Sequence, residues 1–263
     1  MKLTVIGGGG VRSLMLAKSL AQNAKEYNIT HIVFMDNNVQ KLNIFGALAR
    51  EVAIRIMPSL DFTLTTNPVE AIQGADYIIT TIRAGEDDMR IRDERIALAH
   101  NVLGQETTGA AGFSFAMRSV PALAEYCELV RKYANPNAKV FNFTNPAGVV
   151  SQTLRDMGYD FTFGICDAPT GMLRSFAHLY GIAPETVTAT CYGLNHLSFF
   201  NSIQFSGKEM LPTLINDDRI YATTDMRFFS KELTKKMGCI LNEYLYYFFY
   251  REKAVQNILD AHV

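Results

Sequence analysis

Four consecutive glycines, Gly7 to Gly10, follow the apolar run Leu3-Thr4-Val5-Ile6 and precede Val11 to Leu20, which reads as a helix. Glycine lets the backbone turn sharply and approach a pyrophosphate, and a helix N-terminus behind the turn faces the anion. Counted as G-x-G-x-x-G from Gly7, the third glycine is replaced by Arg12; counted from Gly8, by Ser13. The motif alone therefore fits a dinucleotide site and a merely tight strand-to-helix turn alike. A second run, Thr30 to Met35, ends in Asp36, where an acid can hold ribose hydroxyls, and that context favours the dinucleotide.

A second set of reactive residues lies further along. Cys166-Asp167 stand at the tip of the run Phe161 to Ile165, and His196 closes the turn Gly193-Leu194-Asn195-His196. Such a pair is a nucleophile and its base, two ligands of one divalent metal, or two unrelated residues, since a lone Cys is most often a small buried hydrophobe. The oxygen donors beside them, Asp167 and Asn195, lean the pair toward a metal over a nucleophile. A metal beside a dinucleotide points to an oxidoreductase step on an alcohol or ketone. The charge-dense segment Glu86 to Arg95 leaves the end of the run Tyr77 to Thr81 and reads either as a solvated helix face or as arginines gripping a phosphate. Asn145, before Pro146, sits where it would cap a helix or hold a sugar hydroxyl.

Positioning these residues requires an alternation of strands and helices. Strands are expected at 3–6, 30–35, 62–66, 77–81, 139–143 and 161–165, with helices at 39–56, 68–73 and 119–133 between them, which argues for a doubly wound parallel sheet. Leu103 to Gly112, rich in small and hydroxyl residues, reads as a loop, either approaching a ligand or simply flexible. After Cys166 the alternation loosens: strands are expected at 186–192 and 197–205, and helices at 226–238 and 241–258. The last of these is crowded with tyrosine and phenylalanine, most of it packing.

At 263 residues with 48% hydrophobic and 19% charged side chains, the chain can bury a substantial core. Its net charge of −1 gives no electrostatic reason to expect nucleic acid or an anionic membrane as partner. No apolar run reaches the roughly 18 residues of a membrane span. With a strand expected from Leu3, no signal peptide is expected. Four widely spaced cysteines, Cys127, Cys166, Cys191 and Cys239, look like reduced thiols, and a cytoplasmic enzyme is expected.

Taken together, Gly7 to Gly9, Arg83-Ala84-Gly85, Leu103 to Thr107, Asn142 to Pro146, Gly164 to Pro169, Gly193 to His196 and Tyr244 to Tyr247 resemble, in order, the motifs of glycoside hydrolase family 4. They look most like its 6-phospho-β-glucosidases, a family that shares the lactate/malate dehydrogenase type of fold and uses NAD rather than the usual pair of carboxylates. The resemblance implies a Rossmann-type domain over 1–165 and a catalytic α+β domain over 166–263, partial because family members continue well past Val263. It implies cleavage of a phosphorylated disaccharide or aryl glucoside by redox-assisted elimination: oxidation at C3, proton loss at C2, departure of the aglycone from C1. Carried over, Gly7, Gly8, Gly9, Gly10 and Asp36 serve NAD; Cys166 and His196 hold Mn²⁺ or another divalent metal; Tyr244 is the base at C2. Asn145 contacts the sugar, and Arg83 and Arg90 lie in the segment serving the 6-phosphate. Asp167 stands where β-type members usually carry Asn and α-type members an Asp that acts as acid on the leaving group. Leu103 to Gly112, Tyr192 to Phe199 and Asn242 to Tyr247 look β-type. A dimer or tetramer is expected. The other readings are a 6-phospho-α-glucosidase, a 2-hydroxy-acid dehydrogenase, or an inactive NAD-binding module.

Overall fold

The computed structural model describes residues 1–261; residues 262 and 263, the end of the second expected domain, lie outside the described residues. The chain divides into two compact units, Met1–Ala97 with Gln105–Ile165, and Leu98–Gly104 with Cys166–Val263.

The first unit is built on six strands: β1 (Lys2–Ile6), β2 (His31–Met35), β3 (Asp61–Thr65), β4 (Tyr77–Thr80), β5 (Lys139–Asn142) and β6 (Thr162–Gly164). All neighbours pair in parallel in the order β3-β2-β1-β4-β5-β6, the doubly wound arrangement expected. The central strands are apolar because helices cover both faces: Val5, Ile6, Ile32 and Phe34 are fully buried. The strand order reverses at β1, and open α/β sheets bind ligands outside the strand ends at such a point. Ile6 pairs with both Met35 and Thr80, so Gly7, Asp36 and Thr81 leave the sheet side by side.

Two local departures from the sequence reading occur in this unit. The stretch 39–56 is interrupted by a π-turn, Leu42–Gly46, before the helix Ala47–Ile56. The stretch 103–112 is not all loop: the long helix Gly109–Tyr133 begins ten residues before the expected 119. Gly112 makes that early start workable, because a β-carbon there would lie 2.6 Å from the carbonyl carbon of Thr107. The loop before it is tied by Gln105, whose Oε1 accepts from the backbone N–H groups of Thr107 and Thr108 at 2.7 and 2.8 Å.

The second unit holds an antiparallel sheet: β7 (Val187–Leu194), β8 (Leu197–Phe205), β9 (Lys208–Glu209) and β10 (Ile240–Leu241). The order is β10-β8-β7, with β9 on β8. Leu194 pairs with Leu197 across a two-residue turn made of Asn195 and His196. The core beneath contains Met172, Phe176, Phe200, Ile203, Leu214, Ile220, Met226 and Ile240. The two helices expected at 226–238 and 241–258 are corrected. The first is a 3₁₀ turn, Asp225–Phe228, followed by the helix Lys231–Met237, whose N-cap Ser230 accepts from the Leu233 N–H. The second is broken into the strand β10, a 3₁₀ turn Glu243–Leu245, and the helices Tyr246–Phe249 and Arg251–Ala261. Ile240 and Leu241 pair with Phe200 and Phe199, and Asn242 then accepts from the Tyr244 N–H, restarting the helix. No helix among the described residues is long and apolar enough to cross a membrane.

Candidate active site

In the first unit, the glycine turn is pressed against its neighbours at three points. Gly7 has φ +99°, and a β-carbon there would meet Thr81 at 2.7 Å. One on Gly8 would lie 2.6 Å from Phe34 Cβ, and one on Gly9 2.8 Å from Asp36 Oδ2. Only glycine fits this course. Asp36 fastens the turn, Oδ2 accepting from the Gly9 N–H and Oδ1 from the Asn38 N–H, both at 2.9 Å. Each carboxylate oxygen keeps a lone pair, so the same residue can hold a ribose hydroxyl. Helix Ser13–Asn23 starts directly behind. A turn stripped of side chains, a helix N-terminus and an acid at the end of β2 fit a dinucleotide.

Three further sequence-predicted residues of this unit converge on one that the sequence reading left without a role. Arg83 Nη1 donates to Glu106 Oε2 at 2.6 Å, Arg90 Nε lies 3.1 Å from the same oxygen, and Asn145 Nδ2 donates to Oε1 at 3.1 Å. Burial pushes the Glu106 carboxyl up, but the hydrogen bond and charge of Arg83, with help from Asn145 and Arg90, outweigh it and hold the group below the ordinary glutamate value. Asn145 does not cap a helix: Pro146 is the N-cap of Ala147–Asp156, joined to Asn145 by a cis peptide bond. The amide of buried Asn142 ties down the intervening turn, accepting from the Thr80 hydroxyl and the Thr144 N–H and donating to the Thr144 carbonyl. Convergence of this kind has no signature in a one-dimensional pattern; Glu106 within Leu103 to Thr107 was visible only as part of a string.

In the second unit, Cys166 and His196 come together, Sγ to Nε2 at 3.5 Å. His196 is 6% exposed and its backbone is left-handed at φ +62°, an uncommon state for a residue with a β-carbon that the tight β7–β8 turn imposes. The Tyr244 ring lies flat on the imidazole, centroids 3.6 Å apart and planes 1° from parallel. Asp167 is exposed and opens the helix Ala168–Tyr180 without capping it through its side chain. A sulfur and an imidazole nitrogen side by side suit a divalent cation. Among the described residues no group of three His, Cys, Asp or Glu side chains is placed to hold one. The rest of the shell would be oxygen from water or from sugar hydroxyls, as an open catalytic site requires. Burial pushes the Cys127 thiol up to about 12, which makes it inert.

Glu243, beside Tyr244, was also not anticipated. Its Oε2 is buried with no hydrogen-bond partner among the described residues. Burial first, then the charges of Asp225 and Asp167, push its carboxyl above the ordinary value. The folded chain thus binds this proton more tightly than the unfolded chain. The stability it contributes is fully present below the unfolded pKa of about 4.3 and is lost as pH rises through the folded value. Glu243→Gln, which is uncharged at every pH, is expected to melt higher than the parent at about pH 8, by about 2–4 °C per kcal/mol of relieved burial, and to lose that advantage below about pH 4. Thermal melts of both chains across this range check it; parallel curves would show a carboxylate that is ionised and solvated throughout.

The sequence itself carries further information. Residues 2–182 match the profile of the Family 4 glycosyl hydrolase, and residues 191–262 that of the Family 4 glycosyl hydrolase C-terminal domain. A 6-phospho-beta-glucosidase of Thermotoga maritima is 30% identical over 261 residues, which cover 98% of this chain and 61% of that protein. A 6-phospho-alpha-glucosidase of Leptotrichia buccalis is 32% identical over 215 residues, 81% of this chain and 49% of that protein. The solved structure of the Thermotoga maritima 6-phospho-beta-glucosidase with manganese, NAD⁺ and glucose-6-phosphate matches with a TM-score of 0.88 at 30% identity, over 98% of this chain and 61% of that one. The chain spans less than two thirds of the length of these relatives. The glycine turn, Asp36, Arg83, Arg90, Glu106, Asn145, Cys166, His196 and Tyr244 all fall within the two matched stretches, and the chain belongs to family 4 of the glycosyl hydrolases.

Proposed function

We propose that this chain hydrolyses 6-phosphorylated glucosides with NAD and a divalent cation as cofactors, and that the β-anomer is its substrate. The observation that carries the reading is the Cys166–His196 pair with Tyr244 laid on the imidazole. Gly7 to Gly10 and Asp36 would hold the dinucleotide, and Cys166 and His196 the cation, manganese in the relative's structure. When bound, the two supply a hydride acceptor for the sugar's C3 and an electrophile for its hydroxyl oxygens.

The chain's own residues do the rest. With C3 at the ketone level, the proton on C2 is acidic, and the Tyr244 oxygen takes it as general base. Loss of that proton expels the aglycone from C1, water adds back across C1 and C2, and C3 regains the hydride it gave up, so that no NADH accumulates. Asn145, fixed by Asn142 and Glu106, orients a sugar hydroxyl, and Arg83 and Arg90 take the 6-phosphate. The β-preference is supported by the β-type look of Leu103 to Gly112, Tyr192 to Phe199 and Asn242 to Tyr247. Asp167 favours the α-type reading, in which it would protonate the leaving oxygen.

The test follows nitrophenol release from p-nitrophenyl β-glucoside 6-phosphate and its α-anomer, with and without NAD⁺ and Mn²⁺. Release from the β-anomer that needs both additives and yields no net NADH is the expected result. Release from the α-anomer alone would overturn the β-preference. Stoichiometric NADH would replace the hydrolase with a dehydrogenase, and NAD⁺ binding without release from either anomer would leave a non-catalytic module.

A further inference from the structure

The arginine pair proposed for the phosphate is already occupied. Arg83 faces Glu106 at 2.6 Å and Asp87 at 3.4 Å; Arg90 faces Glu94 at 3.0 Å and Glu106 at 3.1 Å. Two cations thus share three carboxylates, and no net positive charge is left to attract an anion. Of the three, Glu106 alone bridges both arginines, and its side chain is 13% exposed while those of Arg83 and Arg90 are 35% and 43% exposed. An incoming anion therefore meets guanidinium groups open to solvent on one side and held by Glu106 on the other.

We propose that Glu106 is a specificity-determining residue, the resident anion of the Arg83–Arg90 pair, which a sugar phosphate must displace and which a weaker anion cannot. The inference rests on the assignment of these arginines to the phosphate. A monoanionic carboxylate offers the pair nothing that Glu106 does not already give, so exchange gains it nothing. A phosphate dianion brings twice the charge and three oxygens, and both guanidinium groups can fork onto it. Displacement frees Glu106 from the arginines while its Oε1 keeps the Asn145 amide. Glu106 therefore sets a threshold that phosphate passes.

Calorimetric titration of the whole chain with inorganic phosphate, glucose 6-phosphate, glucuronate and glucose tests this. Glu106→Gln keeps the shape and the acceptor for Asn145 but removes the charge; it is expected to bind inorganic phosphate and glucose 6-phosphate about tenfold more tightly, a modest factor because the arginines are partly solvated. The parent is expected not to bind glucuronate and Glu106→Gln to bind it, while glucose affinity is expected to stay the same. Glu106→Asp, which keeps the charge, is expected to bind anions no more tightly than the parent. Weaker or unchanged anion binding by Glu106→Gln, with Arg83→Ala and Arg90→Ala both impaired, would overturn the resident-anion role and leave the phosphate assignment standing. Arginine variants that bind phosphate as well as the parent would overturn both.

Discussion

Cleavage of 6-phosphoglucosides by Cys166→Ser is expected to fall about a thousandfold, with NAD⁺ affinity unchanged. The first half follows from the 3.5 Å contact between Sγ and His196 Nε2. A thiolate is an anionic, polarisable donor; a serine hydroxyl at the same place is neutral and smaller, so one of the two protein donors is lost. Manganese affinity, read from the spin resonance of free Mn²⁺, should drop by at least about a hundredfold, the upper range for loss of even an indirect partner of a metal site. The second half follows from position: Cys166 belongs to the second compact unit, whereas Gly7 to Gly10 and Asp36 belong to the first. Cys166 is a cleaner choice than His196, because removing the imidazole would also take the surface on which Tyr244 lies. Cys127→Ala is the control, since that thiol is buried and held protonated, and it should leave manganese binding intact. Unchanged manganese affinity in Cys166→Ser would strike the cysteine from the metal site.

The parallel sheet was legible because its signals are local. β1 to β6 are short runs built round apolar residues and closed by Gly7, Asp36, Thr66, Thr81, Asn142 and Gly164, and their alternation with helical spacing admits few topologies. The glycine turn was legible for the same reason, though its count allowed a second reading; the pressure of Gly8 on Phe34 and of Gly9 on Asp36 belongs to the folded chain alone. What local patterns hide is any contact between distant elements. Ile240 and Leu241 form a strand because Phe199 and Phe200 are there to pair with them, and nothing in the aromatic run that follows announces it. Gly109 to Gly112 read as loop because glycine is a poor helix former; the close approach of Gly112 to Thr107 overrides that preference.

The site divides along the same line. Cys166, His196 and Tyr244 could be named from their motifs, but the imidazole's place in a left-handed turn and its stack on the phenol ring could not. Glu106 and Glu243 stayed invisible for opposite reasons. Glu106 matters through three partners that are 23, 16 and 39 residues away. Glu243 matters through the absence of a partner for Oε2 among the described residues. Both are glutamates of unremarkable sequence context, and only burial and geometry set them apart from a solvated carboxylate.

Tyr244→Phe separates the base from the residues around it. The variant loses one hydroxyl and keeps the ring that stacks on His196 at 3.6 Å, so the Cys166–His196 pair should keep its arrangement and its affinity for manganese. Turnover is expected to fall by about 10²–10⁴, the range for removing a general base, with KM for the phosphorylated substrate little changed because the phenol oxygen acts on a proton rather than on binding. Exchange of the C2 proton of glucose 6-phosphate with deuterated water, in the presence of NAD⁺ and Mn²⁺, should fall by the same factor. The nearby acids are less suited: burial keeps the Glu243 carboxyl toward its protonated form, and Asp167 is exposed to water rather than enclosed beside the imidazole. Exchange that persists in Tyr244→Phe while cleavage falls would move the phenol to a later step. Exchange and cleavage that both persist would transfer the base to Asp167, and Asp167→Asn would then have to abolish what Tyr244→Phe did not.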